Sequence, residues 1–179
     1  VQLRHGLRLA HLATLDADVV ARIHRLMPDT KILYLLRNPI DRIWSQLGMA
    51  LKERKIKGID TLEPKGLRRA LEIGSGEPLS DYIGNLRRWR EFYPEEQIHV
   101  GFFDQLVHDP ANLLRGIFEF LEIDASDAVI PQSVKKKSNP GSGPRIPEEY
   151  ALHLADLFLP KLEEIHDYFQ CETTERWLL

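Results

Sequence analysis

Arg37 and Ser45 are the residues of this chain whose types and spacing best suit chemistry, and that chemistry is the holding of an anion. An apolar run, Ile32-Leu33-Tyr34-Leu35-Leu36, ends at Arg37; Asn38-Pro39 follows, and a helical pattern begins at once. The carboxyl end of a strand and the first turn of a helix both present backbone N–H groups that lack partners. Arg37 adds a planar, permanently charged fork that matches phosphate oxygens. Ser45, eight residues further on, can add a hydroxyl. A competing reading makes Arg37 a strand-end ion pair with Asp41 or Asp104 and Ser45 an ordinary helix residue.

A second basic element, Lys135-Lys136-Lys137-Ser138, precedes a loop carrying Pro140, Gly141, Gly143 and Pro144. Its lysines and backbone amides can close over the same anion from another side, or can simply be solvated. Between residues 31 and 90 there are 13 Lys/Arg against 7 Asp/Glu, a balance of +6 inside a chain of net charge −3. A cationic segment within an acidic protein points to a focused anion site and away from general nucleic-acid binding. Cys171 is the only cysteine, which excludes an internal disulfide and any multi-cysteine metal site. No apolar run approaches the ~20 residues that span a bilayer. The first residues, Val1-Gln2-Leu3-Arg4-His5, do not read as a secretory signal.

The elements that must position these groups follow from periodicity. Residues 16–27 read as a helix capped by Asp16 or Asp18 and stopped at Pro28. The unbroken run 32–36 is the pattern of a strand buried on both faces of a parallel sheet. A helix is expected from Pro39 or Ile40 to about Leu51, with Ile43, Trp44 and Leu47 inward. Residues 53–78 are the least regular, with a short helix expected at 67–73. Further helices are expected at 79–92, 111–121 and 147–169, the last bent near Pro160, and a second buried strand at 97–103. Trp44 and Trp89 read as core anchors in preference to base-stacking platforms. The alternation of helix and strand argues for one α/β domain over residues 1–179, a parallel sheet flanked by helices.

The segment Leu36-Arg37-Asn38-Pro39-Ile40-Asp41-Arg42-Ile43-Trp44-Ser45 resembles the 3′-phosphate-binding motif of sulfotransferases that use 3′-phosphoadenosine 5′-phosphosulfate (PAPS). The similarity continues in order. Tyr82 through Trp89 to Pro94-Glu95-Glu96-Gln97-Ile98 resembles the family's Trp-ended helix and strand entry. Phe102-Phe103-Asp104-Gln105-Leu106, then Asp109-Pro110, then residues 114–123 resemble the segments that come next, and the basic loop resembles the one that covers the nucleotide. The resemblance implies a P-loop NTPase-like sheet. Arg37 and Ser45 would bind the 3′-phosphate of PAPS or of its product PAP, with Lys135, Lys136, Lys137 and Ser138 covering it. It also implies a hydroxyl- or amine-bearing acceptor; from charge and composition no nucleic-acid partner and no metal site are expected.

The family's glycine-rich loop, which cradles the 5′-phosphosulfate after a first strand, is not found in these 179 residues; the Gly-Ser-Gly strings at 74–76 and 141–143 follow no strand. The chain is therefore expected to be the C-terminal part of such a protein, lacking that strand and loop and inactive alone. The catalytic base is unknown, His5 and His11 being the only histidines ahead of the Arg37 motif. The expected compartment is the cytoplasm for a bacterial protein, or the Golgi lumen if an anchor lies upstream. Two other classes stay open: a non-catalytic nucleotide-binding or interaction module of the same fold, and a P-loop kinase-like phosphotransferase. In the sulfotransferases the acceptor pocket draws on a region corresponding to residues 52–79, where Lys52, Arg54, Lys55 and Lys57 would suit an acidic acceptor such as a sulfated glycan.

Overall fold

A computed structural model describes residues 9–53, 65, 66, 69, 78–135 and 146–178. Its centre is a parallel pair of strands, β1 (Ile32–Leu36) and β2 (Ile98–Phe102), in the register Ile32↔Ile98 through Leu36↔Phe102. A 3-10 turn (Leu9–Thr14) and α1 (Ala17–Leu26) precede β1, and α2 (Pro39–Glu53) follows it. A 3-10 turn (Pro78–Ser80) and α3 (Tyr82–Arg90) lead to β2. Beyond β2 come α4 (Phe103–His108), α5 (Pro110–Phe120), α6 (Glu148–Phe169) and α7 (Glu172–Arg176).

Alternation along the strands sends Ile32, Tyr34, Leu36, Ile98, Val100 and Phe102 to one face of the sheet, where they join two apolar clusters. In the larger, Ile43 and Trp44 of α2 pack on Tyr150, Leu154 and Phe158 of α6, with the Trp44 and Tyr150 rings stacked at 6.5 Å. In the smaller, Val20, Leu86 and Tyr93 surround Ile98. Trp89 packs against this second cluster, so Trp44 and Trp89 both belong to the core, as expected.

The opposite face corrects the expectation of a strand buried on both sides. Leu33 and Leu35 are 48% and 46% exposed, while Leu36 is 1% exposed. The reason is where α5 lies. It covers β2 rather than β1, with Leu113 so near Gly101 that a Cβ there would meet Leu113 at 3.1 Å and Leu35 at 3.3 Å. Among the described residues β1 pairs on one edge only, because β2 is its sole partner in the sheet.

Helix boundaries follow local chemistry. Asp81 caps α3, its carboxylate accepting from Gly84 N at 3.0 Å; the side chain lies where a Cβ on residue 84 would stand, which is why glycine sits there. Asp109 caps α5 ahead of Pro110, accepting from Asn112 N at 3.2 Å. Two short helices, α4 and α7, were not expected, and α4 begins directly at the end of β2. The helix expected at 67–73 lies almost wholly outside the described residues.

Candidate functional site

The turn after β1 is built by its own residues. Asn38 serves as the cap of α2: its side-chain oxygen accepts from Ile40 N at 2.9 Å, and its carbonyl accepts from Arg42 N at 2.9 Å. Pro39 occupies the first helical position, where a missing N–H costs nothing. The Arg-Asn-Pro order thus places an arginine at the last point of the strand, immediately before a helix N-terminus.

Arg37 lies one residue past the last paired strand position, next to Phe103 at the equivalent end of β2. Its guanidinium rests over the Phe103 ring, 4.9 Å from the centroid. Its Nε is buried without a hydrogen-bond partner. Among the described residues no carboxylate pairs with it. Asp104 instead accepts from Trp177 Nε1 at 3.4 Å. The alternative of a strand-end ion pair with Asp41 or Asp104 therefore does not hold among these residues. A ring attracts the cation weakly and leaves its in-plane donors open. What remains is a half-buried positive fork with unfilled donors, a fit for an incoming anion.

Ser45 lies in the second turn of α2 and is half-buried. Of the second basic element, Lys135 ends the 3-10 turn Gln132–Lys135, while Lys136, Lys137 and Ser138 lie outside the described residues. His5 lies outside them as well, and His11 falls in the first 3-10 turn. The structure thus brings Arg37 and the start of α2 together with Phe103, a residue to which sequence reasoning assigned no task. It also reveals Tyr82 and Arg42 beneath the turn. The Tyr82 hydroxyl donates to the Arg37 carbonyl at 2.8 Å, and Arg42 hydrogen-bonds Ser80 and Gln46. Burial pushes the Tyr82 phenol above its ordinary pKa, so it keeps the proton it donates.

A parallel α/β sheet with helices attached to its strand ends, and a cation at one such end, is an α/β architecture that binds ligands beyond the carboxyl ends of its strands. The chain belongs to the sulfotransferase family: the family's model matches residues 13–127. It is similar to human heparan sulfate glucosamine 3-O-sulfotransferase 6, at 28% identity over 104 residues, covering 56% of this chain and 30% of that protein. Human heparan sulfate glucosamine 3-O-sulfotransferase 5 is 30% identical over 112 residues, covering 59% of this chain and 32% of that protein. A solved sulfotransferase from Alicyclobacillus acidocaldarius superposes with a TM-score of 0.67 at 20% identity, over 90% of this chain and 62% of that one, a likeness of fold. The chain spans about a third of the length of these curated relatives. Among the described residues no helix is long and apolar enough to cross a membrane.

Proposed function

We propose that this chain carries the 3′-phosphate grip of a PAPS-dependent sulfotransferase that transfers a sulfuryl group to a hydroxyl or amine acceptor. The observation that carries the reading is Arg37: a guanidinium held on Phe103 at a strand end, with a buried unpartnered Nε and no described carboxylate. In this reading Arg37 donates from its planar fork to the 3′-phosphate oxygens, and Ser45 donates a hydroxyl hydrogen bond to the same group. Lys135, Lys136, Lys137 and Ser138 cover the nucleotide. Bound PAPS supplies the activated sulfuryl group. The chain's own part is to fix the nucleotide so that the acceptor attacks along a set line. No catalytic base is assigned.

Calorimetric titration with PAP tests the grip. The protein should bind PAP, and Arg37→Ala should lose that binding. Undiminished PAP affinity in Arg37→Ala would overturn the assignment.

For the acceptor we propose a hydroxyl on an acidic glycan. The names of the two human relatives support this, together with Lys52, Arg54, Lys55 and Lys57 in one short stretch. Heparin oligosaccharides should bind with an affinity that falls steeply with salt. An affinity unchanged by replacing those four residues with glutamine would exclude their part in it.

A further inference from the structure

Tyr82 and Arg42 have no task in the reading above, yet they tie the Arg37 turn to a corner of the chain far away in sequence. Tyr82 is 5% exposed and opens α3. Its hydroxyl reaches the carbonyl of Arg37, the peptide group at which the strand becomes the helix. Arg42, one turn into α2, crosses to the Ser80 hydroxyl with one end of its fork and holds Gln46 with the other, and it lies beside the Tyr82 hydroxyl. The corner that receives these contacts is itself rigid. Ser80 and Asn85 are each 1% exposed, Asn85 Nδ2 donates to the Pro78 carbonyl at 2.8 Å, and Asp81 caps the helix.

These partners are neutral. Among the described residues Arg42 meets no carboxylate, and its Nε is buried without a partner. Placing a guanidinium among neutral oxygens costs stability relative to an apolar side chain of similar size. The arrangement makes sense as geometry. Arg37 stands past the last ladder position, so the sheet no longer dictates the orientation of its peptide, and a ring contact alone allows the guanidinium to slide. A binding group works only when it is held within about half an ångström of its productive position by supporting contacts.

Resting on the 3′-phosphate reading, we propose that Tyr82, braced by Arg42 and Ser80, is a positioning residue that fixes the Arg37 peptide and so aims the Arg37 guanidinium at the nucleotide's 3′-phosphate. Tyr82 touches neither nucleotide nor acceptor; it acts through Arg37.

The test compares Tyr82→Phe with Tyr34→Phe. Tyr34 is the neighbouring half-buried ring, edge-on to Tyr82 at 6.3 Å, and its hydroxyl lies by Asn85, away from the Arg37 carbonyl. Affinities for PAP and for adenosine 5′-phosphate, which lacks the 3′-phosphate, are measured by calorimetry on the protein and both variants. Tyr82→Phe should lower PAP affinity about three- to tenfold, the loss of one oriented hydrogen bond, and leave adenosine 5′-phosphate untouched. Tyr34→Phe should leave the ratio of the two affinities unchanged. A general loosening of the fold would lower both affinities together in Tyr82→Phe, and that result overturns the inference. If Tyr82→Phe does not fold, Ser80→Ala removes the brace and should show the same selective loss, smaller in size; an unchanged ratio there overturns the inference equally. Selective loss of PAP in Arg37→Ala without it in Tyr82→Phe overturns this inference alone. Undiminished PAP affinity in Arg37→Ala overturns the phosphate assignment and this inference with it.

Discussion

The two ends of β1 carry two cations, and each lies over a phenylalanine ring. Lys31, just before the strand, stands 5.4 Å from the Phe120 centroid; Arg37, just after it, stands 4.9 Å from that of Phe103. Beyond the ring they differ. The Lys31 ammonium donates to the Phe120 carbonyl at 2.6 Å and to Glu122 Oε1 at 2.7 Å. Glu122 reaches it because the end of α5 closes through a left-handed residue: Glu122 has φ 58°, and Ile123 N returns to the Phe118 carbonyl at 3.0 Å. Lys31 is thus spent on fastening α5 to the start of the strand. Arg37 has the same ring support and no described carboxylate. A cation satisfied from within is structural, and one left with open donors is available to a ligand.

Four measurements can break or sharpen this contrast. The largest effect is expected from Arg37→Ala, which should remove the rise in melting temperature that PAP produces. It should leave the ligand-free melting temperature close to the parent's, since no internal ion pair is lost. A large drop in the ligand-free protein would reveal a structural role and erase the contrast. Ser45→Ala should weaken PAP binding by about 1 kcal/mol, one hydrogen bond's worth, with ligand-free stability unaltered; equal affinity for PAP would remove Ser45 from the grip. Lys31→Met should do the reverse, lowering the melting temperature slightly while PAP affinity stays constant.

The smallest effect is one of pH. Lys31 holds the Glu122 carboxylate below its ordinary pKa, chiefly through their hydrogen bond and then through charge. A carboxylate depressed in the folded state adds stability that is present above its unfolded pKa and is lost as pH falls through the folded one. The gap in melting temperature between the parent and Lys31→Met should therefore narrow as pH falls below the usual carboxylate range. A gap that stays constant through that range would show that the Phe120 carbonyl, and not Glu122, is the partner that matters.

Much of this was legible in the chain, and what was not has physical causes. Asn38 and Pro39 carry their meaning locally, as cap and first helical residue, so the turn and Arg37's place at a strand end could be read directly. The fold class followed from the alternation of strand and helix patterns, and both strands fell where the apolar runs put them. Burial of Leu33 and Leu35 was misjudged because an apolar run records two apolar faces, not what covers each one. Tyr82 fits a helical apolar stripe, and its ring does lie in the core. The partner of its hydroxyl is a backbone carbonyl 45 residues away, which leaves no trace in residue type. Phe103 was visible only as part of a family string. Its task arises from the strand register that sets it beside Arg37. The lysine loop is untouched by any of this, since Lys136, Lys137 and Ser138 lie outside the described residues.

The left-handed Gln170, at φ 46°, ends α6 and lets α7 turn back, so that Trp177 meets Phe102 edge-on at 5.6 Å and hydrogen-bonds Asp104. The ring beneath Arg37 belongs to the residue between those two. Its seat is thus closed by a contact some seventy-five positions away along the chain, and contacts of such separation form late, after many residues have lost their freedom. A synthetic peptide of residues 32–45 would contain every letter of the motif and lack the Phe103 ring on which Arg37 rests. During refolding, PAP binding should appear only when the change in tryptophan fluorescence is complete, which would make ligand recognition one of the last properties this molecule acquires.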